Sequence, residues 1–157
     1  MISTRGRYAL RVMIDLAENS AKTVGPENSS GKEQPDQYIA LKDVAERQGI
    51  SKKYLEQIVP LLNKTGLLRT NRGNKGGYML SGKADEITVG DVLRATEGSL
   101  APVACLDFEP NECPRAAECS TLFVWEGLYK AVNDYLDSVT LKDIIERGTN
   151  ISGDYCI

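Results

Sequence analysis

The chain has 157 residues with 19 basic and 22 acidic side chains (net −3), four cysteines, no histidine and 41% hydrophobic content. That length suits one domain with a long appended element, and no stretch approaches the ~20 apolar residues of a membrane span or the apolar core of a signal peptide, so a cytoplasmic chain with no membrane contact is expected. Without histidine there is no imidazole base, no Ser–His or Cys–His pair and no imidazole metal ligand, which removes most enzyme chemistries.

The first apolar run, Tyr8–Ala17, is interrupted only by Arg11 and Asp15, four residues apart on one helical face; a helix of this kind is covered by neighbours. Residues 22–37 are Gly, Pro, Ser, Asn and charge, and read as a flexible insert. Leu41–Gln48 places Leu41, Val44 and Ala45 at helical spacing, with Gly49 as its stop and Ser51 as the cap of the next helix. That helix carries Leu55, Ile58, Val59 and Leu62 on one face; Pro60 inside it predicts a kink or early unwinding, and Gly66 ends it. Leu67–Thr70 and Gly77–Leu80 read as the strands of a hairpin around Asn71–Gly76. Thr88-Val-Gly-Asp91 has capping-box spacing and opens a short helix to about Glu97, stopped by Gly98. Ser99–Cys119 has prolines and cysteines without periodicity and reads as a loop. Leu122, Trp125, Tyr129, Val132, Leu136 and Val139 then form a heptad seam, and Thr140-Leu-Lys-Asp143 caps a last short helix.

Helix, glycine turn, helix, hairpin is the order of a winged helix–turn–helix, so the expected fold is mainly α with a small β-hairpin wing and a long C-terminal dimerisation helix. The division expected is a DNA-binding part at 1–82, containing the 22–37 insert, and a linker helix, cysteine loop and dimerisation helix at 83–157. Charge agrees: from Lys42 to Lys75 there are eight basic and three acidic residues, a local +5 on a chain whose remainder carries −8. With the apolar face turned inward, Lys52, Lys53, Glu56 and Gln57 point out of the second helix, whose first turn, Ser51-Lys52-Lys53-Tyr54, can meet base edges and phosphates. Arg72 and Lys75 stand at the wing tip, and Arg5 lies in a basic N-terminal stretch. The expected DNA-contacting set is Arg5, Ser51, Lys52, Lys53, Tyr54, Glu56, Gln57, Arg72 and Lys75. No nucleophile–base constellation or phosphate-binding glycine loop competes with this reading, so no catalytic residue is assigned.

Cys105, Cys113 and Cys119 share one loop with spacings x7 and x5. In a chain without a secretory signal such grouping points to metal or redox ligation, and thiolates suit iron–sulfur clusters and zinc. The spacing is unlike a zinc ribbon, and a fourth ligand is open among a carboxylate, Cys156 and an exogenous group.

The stretches Ser3–Arg11, Ala45–Ser51, Tyr54–Gln57, Arg72–Tyr78 and Ile87–Val92, with the three-cysteine loop before the long helix, resemble the iron–sulfur cluster regulator family of winged helix–turn–helix transcription factors (IscR, NsrR and CymR types). The similarity covers Met1 to about Glu146. It implies a homodimeric bacterial transcription regulator whose long helices cross-pair, whose winged motifs each contact a half-site of double-stranded DNA, and whose affinity is tuned by an iron–sulfur cluster (2Fe-2S or 4Fe-4S). Residue by residue, Cys105, Cys113 and Cys119 match the cluster ligands, and Lys53, Glu56, Gln57 and Arg72 match the base- and groove-reading positions. Leu122 stands where the IscR type has a histidine, Arg7 where the NsrR type has an aspartate from the partner subunit, and Cys105 and Cys113 are two residues further apart than in the IscR type. Cluster type and fourth ligand are therefore open. The same fold admits a cluster-free regulator, as the CymR type suggests, responding to thiol oxidation or to a docked partner enzyme of cysteine metabolism; three grouped cysteines favour the cluster.

Overall fold

The computed structural model describes residues 2–21, 38–73 and 76–153; the insert at 22–37, Lys75 and Cys156 lie outside the described residues. Helices α1 (Thr4–Ala21), α2 (Leu41–Gln48) and α3 (Lys52–Lys64) lead to strands β1 (Leu68–Asn71) and β2 (Gly77–Leu80). Helices α4 (Val89–Glu97), α5 (Leu122–Ser138) and α6 (Leu141–Gly153) follow. None of these helices is long and apolar enough to cross a membrane.

Helix α1 is the centre of the molecule. Ala9, Val12, Met13 and Leu16 are buried to within 1% of completely, packed with residues of α2, α3, α4 and α6. Its two interruptions grip α2. Asp15, 2% exposed, accepts from Arg47 Nη2 at 2.6 Å and Nε at 3.0 Å and from Gln48 Nε2 at 2.9 Å. Arg11 donates to Gln48 Oε1 at 3.1 Å. A carboxylate can stay in a core only when paired and hydrogen-bonded in this way.

The turn between α2 and α3 follows from Gly49, whose left-handed backbone (φ 62°, ψ 33°) lets its N–H and that of Ile50 return to the last turn of α2. The Ser51 hydroxyl caps Tyr54 N–H at 3.3 Å, and Leu55, Ile58, Val59 and Leu62 turn inward. Early unwinding at Pro60 does not occur: α3 continues to Lys64. Pro60 and Glu56, whose carbonyl the proline leaves without its helical partner, are both exposed, so solvent can replace the lost bond while Val59 and Leu62 hold the next turn to the core.

The hairpin pairs Leu68 with Leu80, Arg69 with Met79, Thr70 with Tyr78 and Asn71 with Gly77. Sequence reading missed its anchor. Ile39, just before α2, exchanges two backbone hydrogen bonds of 2.9 Å with Tyr78, so the wing is tied to the entrance of α2. Gly77 permits this approach, since a Cβ there would lie 2.5 Å from the Ile39 carbonyl oxygen.

Both expected capping boxes form. Thr88 and Asp91 open α4 and Thr140 and Asp143 open α6, each threonine hydroxyl accepting the aspartate N–H at 3.1 Å. The two starts are laced together by Val89 N–H to Val139 O at 2.9 Å and Leu141 N–H to Ile87 O at 3.0 Å. Leu141, fully buried, joins the same core as α1, α2 and α3. A smaller apolar cluster of Val89, Leu93 and Leu136, with Val132 and Val139, fixes the C-terminal half of α5 to α4, reinforced by Arg94 bonding Asp137 and Asn133. Helix α1 starts at Thr4, ahead of its apolar run, because Glu97 at the end of α4 receives its first turn: Ser3 N–H at 3.1 Å, Ser3 O–H at 2.7 Å and Gly6 N–H at 3.0 Å.

Candidate nucleic-acid interface and cysteine loop

The inward set of α3 leaves Ser51, Lys52, Lys53, Glu56 and Gln57 exposed on its opposite side. Lys52 and Glu56 stand one turn apart, 3.5 Å between charged atoms, both more than half exposed. A surface pair of this kind is weakly held, so either partner can be redirected to a ligand at little cost. Tyr54 is half-buried, its ring edge-on to Tyr8 with centroids 5.6 Å apart. Arg11 lies over the Tyr8 ring, again at 5.6 Å.

Across from α3 lies the wing, and between them runs a cleft of about 600 Å³. The entrance of α2 (Lys42), the outer side of α3 (Lys52, Glu56, Asn63) and the wing (Thr70, Asn71, Arg72) line it. Thr70 O–H donates to Asn63 Oδ1 at 3.1 Å and fixes the spacing of wing and helix. Ala40, at the head of α2, offers no side-chain cap, so the positive end of that helix opens beside Lys42. The structure thus brings Lys52, Glu56 and Arg72 to one cleft, with Ser51, Lys53 and Gln57 on the same exposed side of α3. Arg5 does not line it. It sits in the first turn of α1 with its guanidinium 3.8 Å from Glu97, about half exposed. Lys42, Asn63, Thr70 and Asn71 were not singled out from sequence; Lys42 counted only toward the local charge, and the other three carry no charge to notice.

The cysteine loop begins directly after the Glu97 anchor and contains two single 3-10 turns, Ala104–Leu106 and Ala116–Glu118, where the sequence predicted only loop. Cys105, Cys113 and Cys119 are free thiols. Cys119 is exposed at the approach to α5. The Thr121 hydroxyl, then the Thr121 and Leu122 N–H groups and the Arg115 charge, lower its pKa from the ordinary thiol value, favouring thiolate. Asn111 Oδ1 accepts Cys113 N–H at 2.9 Å, while its buried Nδ2 has no partner, an omission worth about 1–3 kcal/mol in a finished site. Among the described residues no three His, Cys, Asp or Glu side chains converge on a metal-sized site. The donor chemistry of three thiols and a spare N–H fits an iron–sulfur cluster; the loop must draw together to use it. Leu122, half-buried, and Arg7, bonded to the Thr4 hydroxyl at 3.0 Å, occupy the two fourth-ligand positions noted from sequence and offer no ligand atom.

Helix α5 uses only part of its heptad seam within the chain. Leu136 is buried and Val132 and Val139 pack on α4, but a second apolar line stays open: Val124 at 45%, Leu128 at 44% and Tyr135 at 66% exposure.

A family model described as "Rrf2: Iron-dependent Transcriptional regulator" matches residues 30–147. Protein rrf2 of Nitratidesulfovibrio vulgaris is 41% identical over 144 residues, 92% of this chain and 86% of that protein. Among solved structures, CymR, the global cysteine regulator of B. subtilis, is similar with a TM-score of 0.68 and 35% identity, covering 94% of this chain and 97% of that one. T. potens IscR is similar with a TM-score of 0.67 and 35% identity over 94% of this chain and 88% of its own.

Proposed function

This chain belongs to the Rrf2 family of transcriptional regulators, and from that premise we propose that it acts in the cytoplasm as a homodimer that reads double-stranded DNA with α3 and the wing and senses through an iron–sulfur cluster in the Cys105–Cys119 loop. One observation carries the DNA reading: the outward side of α3 and Arg72 of the wing border a single cleft within a +5 segment of an otherwise acidic chain. The first turn of α3 enters a major groove, where Gln57 can pair with adenine, Glu56 can accept from cytosine and Lys53 can reach guanine. Lys52, Ser51 and the open head of α2 meet phosphate, and Arg72 follows the wing into the adjacent narrow groove, with Lys75 beside it in sequence. Tyr54 and Arg5 act at the edges of this surface, Tyr54 held by Tyr8 and Arg5 shared with Glu97. Residues 1–82 supply the reading head and 83–157 the sensing and pairing elements.

For pairing, the open line of Val124, Leu128 and Tyr135 along α5 offers the apolar face that a second copy would cover. For sensing, Cys105, Cys113 and Cys119 would hold the cluster, with a fourth ligand from outside this set. A cluster there supplies a charge that changes with iron supply and redox state. The chain's part is mechanical: convergence of three thiolates contracts the loop, and Glu97, one end of that loop, is fastened to Ser3 and Gly6 at the start of α1. The contracted and open loops are the two states a signal would bias.

The test is anaerobic reconstitution with iron and sulfide, followed by gel shifts on palindromic promoter fragments. A coloured protein whose charge-transfer band and altered DNA affinity vanish in Cys→Ala variants is expected; a colourless, iron-free protein refutes the cluster reading. Arg72→Ala should weaken binding by about 1–3 kcal/mol, roughly 5- to 150-fold; unchanged binding at moderate salt refutes the wing contact. A second reading is favoured by the exposed thiolate-prone Cys119: a cluster-free regulator of the same fold answering thiol oxidation or a partner enzyme. DNA binding sensitive to diamide and indifferent to iron would select it.

A further inference from the structure

The cysteine loop keeps one polar atom unanswered. Asn111 stands two residues before Cys113, and its Oδ1 accepts the Cys113 amide N–H at 2.9 Å. Its Nδ2 is shielded from solvent without a hydrogen-bond partner, and no other buried side-chain nitrogen or oxygen among the described residues is left so. The orientation is fixed, because exchanging the two amide atoms would set an NH2 group against the Cys113 N–H, donor against donor. Buried donors in finished structures have acceptors. The polypeptide around it supplies none: the carboxylates of Glu109 and Glu112, as near in sequence, leave it unbonded, and the Cys113 sulfur lies two residues on, with Cys105 and Cys119 in the same loop.

Thiolates and bridging sulfides accept N–H hydrogen bonds, and such bonds raise a cluster's reduction potential by stabilising its more negative, reduced form. A carboxamide suits the position where a carboxylate does not. It offers an acceptor to the loop backbone and a donor to sulfur without placing another negative charge beside three thiolates.

We propose that Asn111 is a positioning residue of the cysteine loop, holding Cys113 through Oδ1 and donating Nδ2–H to a sulfur of a bound iron–sulfur cluster, whose potential it thereby raises. This rests on the reading that Cys105, Cys113 and Cys119 hold such a cluster.

The experiment uses full-length wild type, Asn111→Asp and Asn111→Leu, reconstituted anaerobically with ferrous iron and sulfide. Iron and sulfide analysis comes first: a wild type that takes up neither overturns the cluster reading and this proposal with it. In loaded protein, dye-mediated redox titration should give a more negative midpoint potential for both variants, since both lack the donor. Equal potentials in all three proteins overturn the role of Asn111 alone. A shift in Asn111→Asp with Asn111→Leu unchanged shows a bare charge effect and overturns it as well. Should Asn111→Leu not load, pulsed EPR of the reduced cluster in protein carrying ¹⁵N-asparagine decides: a weak ¹⁵N coupling in wild type, absent in Asn111→Asp, is expected, and its absence from wild type refutes the hydrogen bond.

Discussion

Replacing Gly77 by alanine tests how the wing is held. The new Cβ would lie 2.5 Å from the Ile39 carbonyl oxygen, 2.7 Å from its carbon and 2.9 Å from its nitrogen. All three are backbone atoms, so no side-chain rotation relieves the contact, and the Ile39–Tyr78 pairing must open. That forfeits two hydrogen bonds, each worth about 1 kcal/mol net, and leaves polar groups of a buried residue short of partners at about 1 kcal/mol or more. The alanine returns about 0.4–1 kcal/mol by stiffening the unfolded chain. The balance is a loss of about 2–3 kcal/mol, or roughly 4–12 °C in Tm for a chain of this size. DNA affinity should fall alongside, because β2 is paired along its length to β1, whose Thr70 and Asn71, with Arg72 just beyond, face the cleft. Circular-dichroism melts and fluorescence anisotropy on one promoter fragment at fixed salt read the two effects. Gly82→Ala is the control, since its Cβ would meet only the tip of Glu86 at an ordinary 3.5 Å. A Gly77→Ala protein melting within a degree of wild type, with unchanged DNA binding, would refute the idea that Ile39 anchors the wing.

Arg47→Ala leaves the carboxylate of Asp15, 2% exposed, with Gln48 as its remaining side-chain donor among the described residues. Because Arg47 itself is 39% exposed, the expected cost is about 2 kcal/mol rather than the 3–5 of a fully buried pair, and the double variant with Asp15→Asn should regain part of it in urea titrations; a neutral single variant would contradict this. Acid should destabilise the protein. For Glu97 and Asp91, burial works against ionisation but is outweighed by hydrogen bonds from Ser3, Gly6 and Thr88 and by Arg5 and Arg94; for Asp143 the Thr140 N–H leads. All three are held below the ordinary carboxylate value, so their contribution is whole above the unfolded pKa near ~4 and is lost as pH falls through the lower folded values. Melts should be flat from neutrality to about pH 5 and decline below about pH 4, less steeply in Glu97→Gln; a constant Tm down to pH 3 would oppose the assignment. On the proposed pairing through α5, Leu128→Glu on its open line should sediment as monomer where the wild type sediments as dimer, with the fold intact; a variant dimer that persists would place pairing elsewhere.

Helices and their ends were legible wherever local chemistry decides them. The apolar spacing of Leu55, Ile58, Val59 and Leu62, the left-handed Gly49, and the Thr88 and Thr140 boxes each act within a few residues, and all appear as read. What escaped is non-local. Ile39 pairs through one residue and so shows no alternation; Glu97 serves Gly6 from 91 positions away. Pro60 was read by its local cost alone, although the buried residues on either side of it outweigh one missing hydrogen bond. The heptad seam of α5 was legible as apolar, but Val132, Leu136 and Val139 of that seam close on α4, and the line left open, Val124, Leu128 and Tyr135, lies outside it, an outcome that depends on where α4 docks. The α3 part of the proposed reading surface was visible in charge and spacing. The cleft was not, because Asn63 and Thr70 matter through the contact between them, and the unanswered Nδ2 of Asn111 exists only once the loop has shape.

The placement of Leu141 among the side chains of α1, α2 and α3 bears on protein engineering. Chimaeras are commonly designed by joining one regulator's DNA specificity to another's input module at a linker. Here a cut near Gly82 would strip Ile87, Val92 and Leu141 from the interior they complete, and a foreign replacement would have to refill that space methyl for methyl. Transplanted specificity is therefore better carried by substitutions on the outer side of α3 and on the wing than by exchanging whole halves.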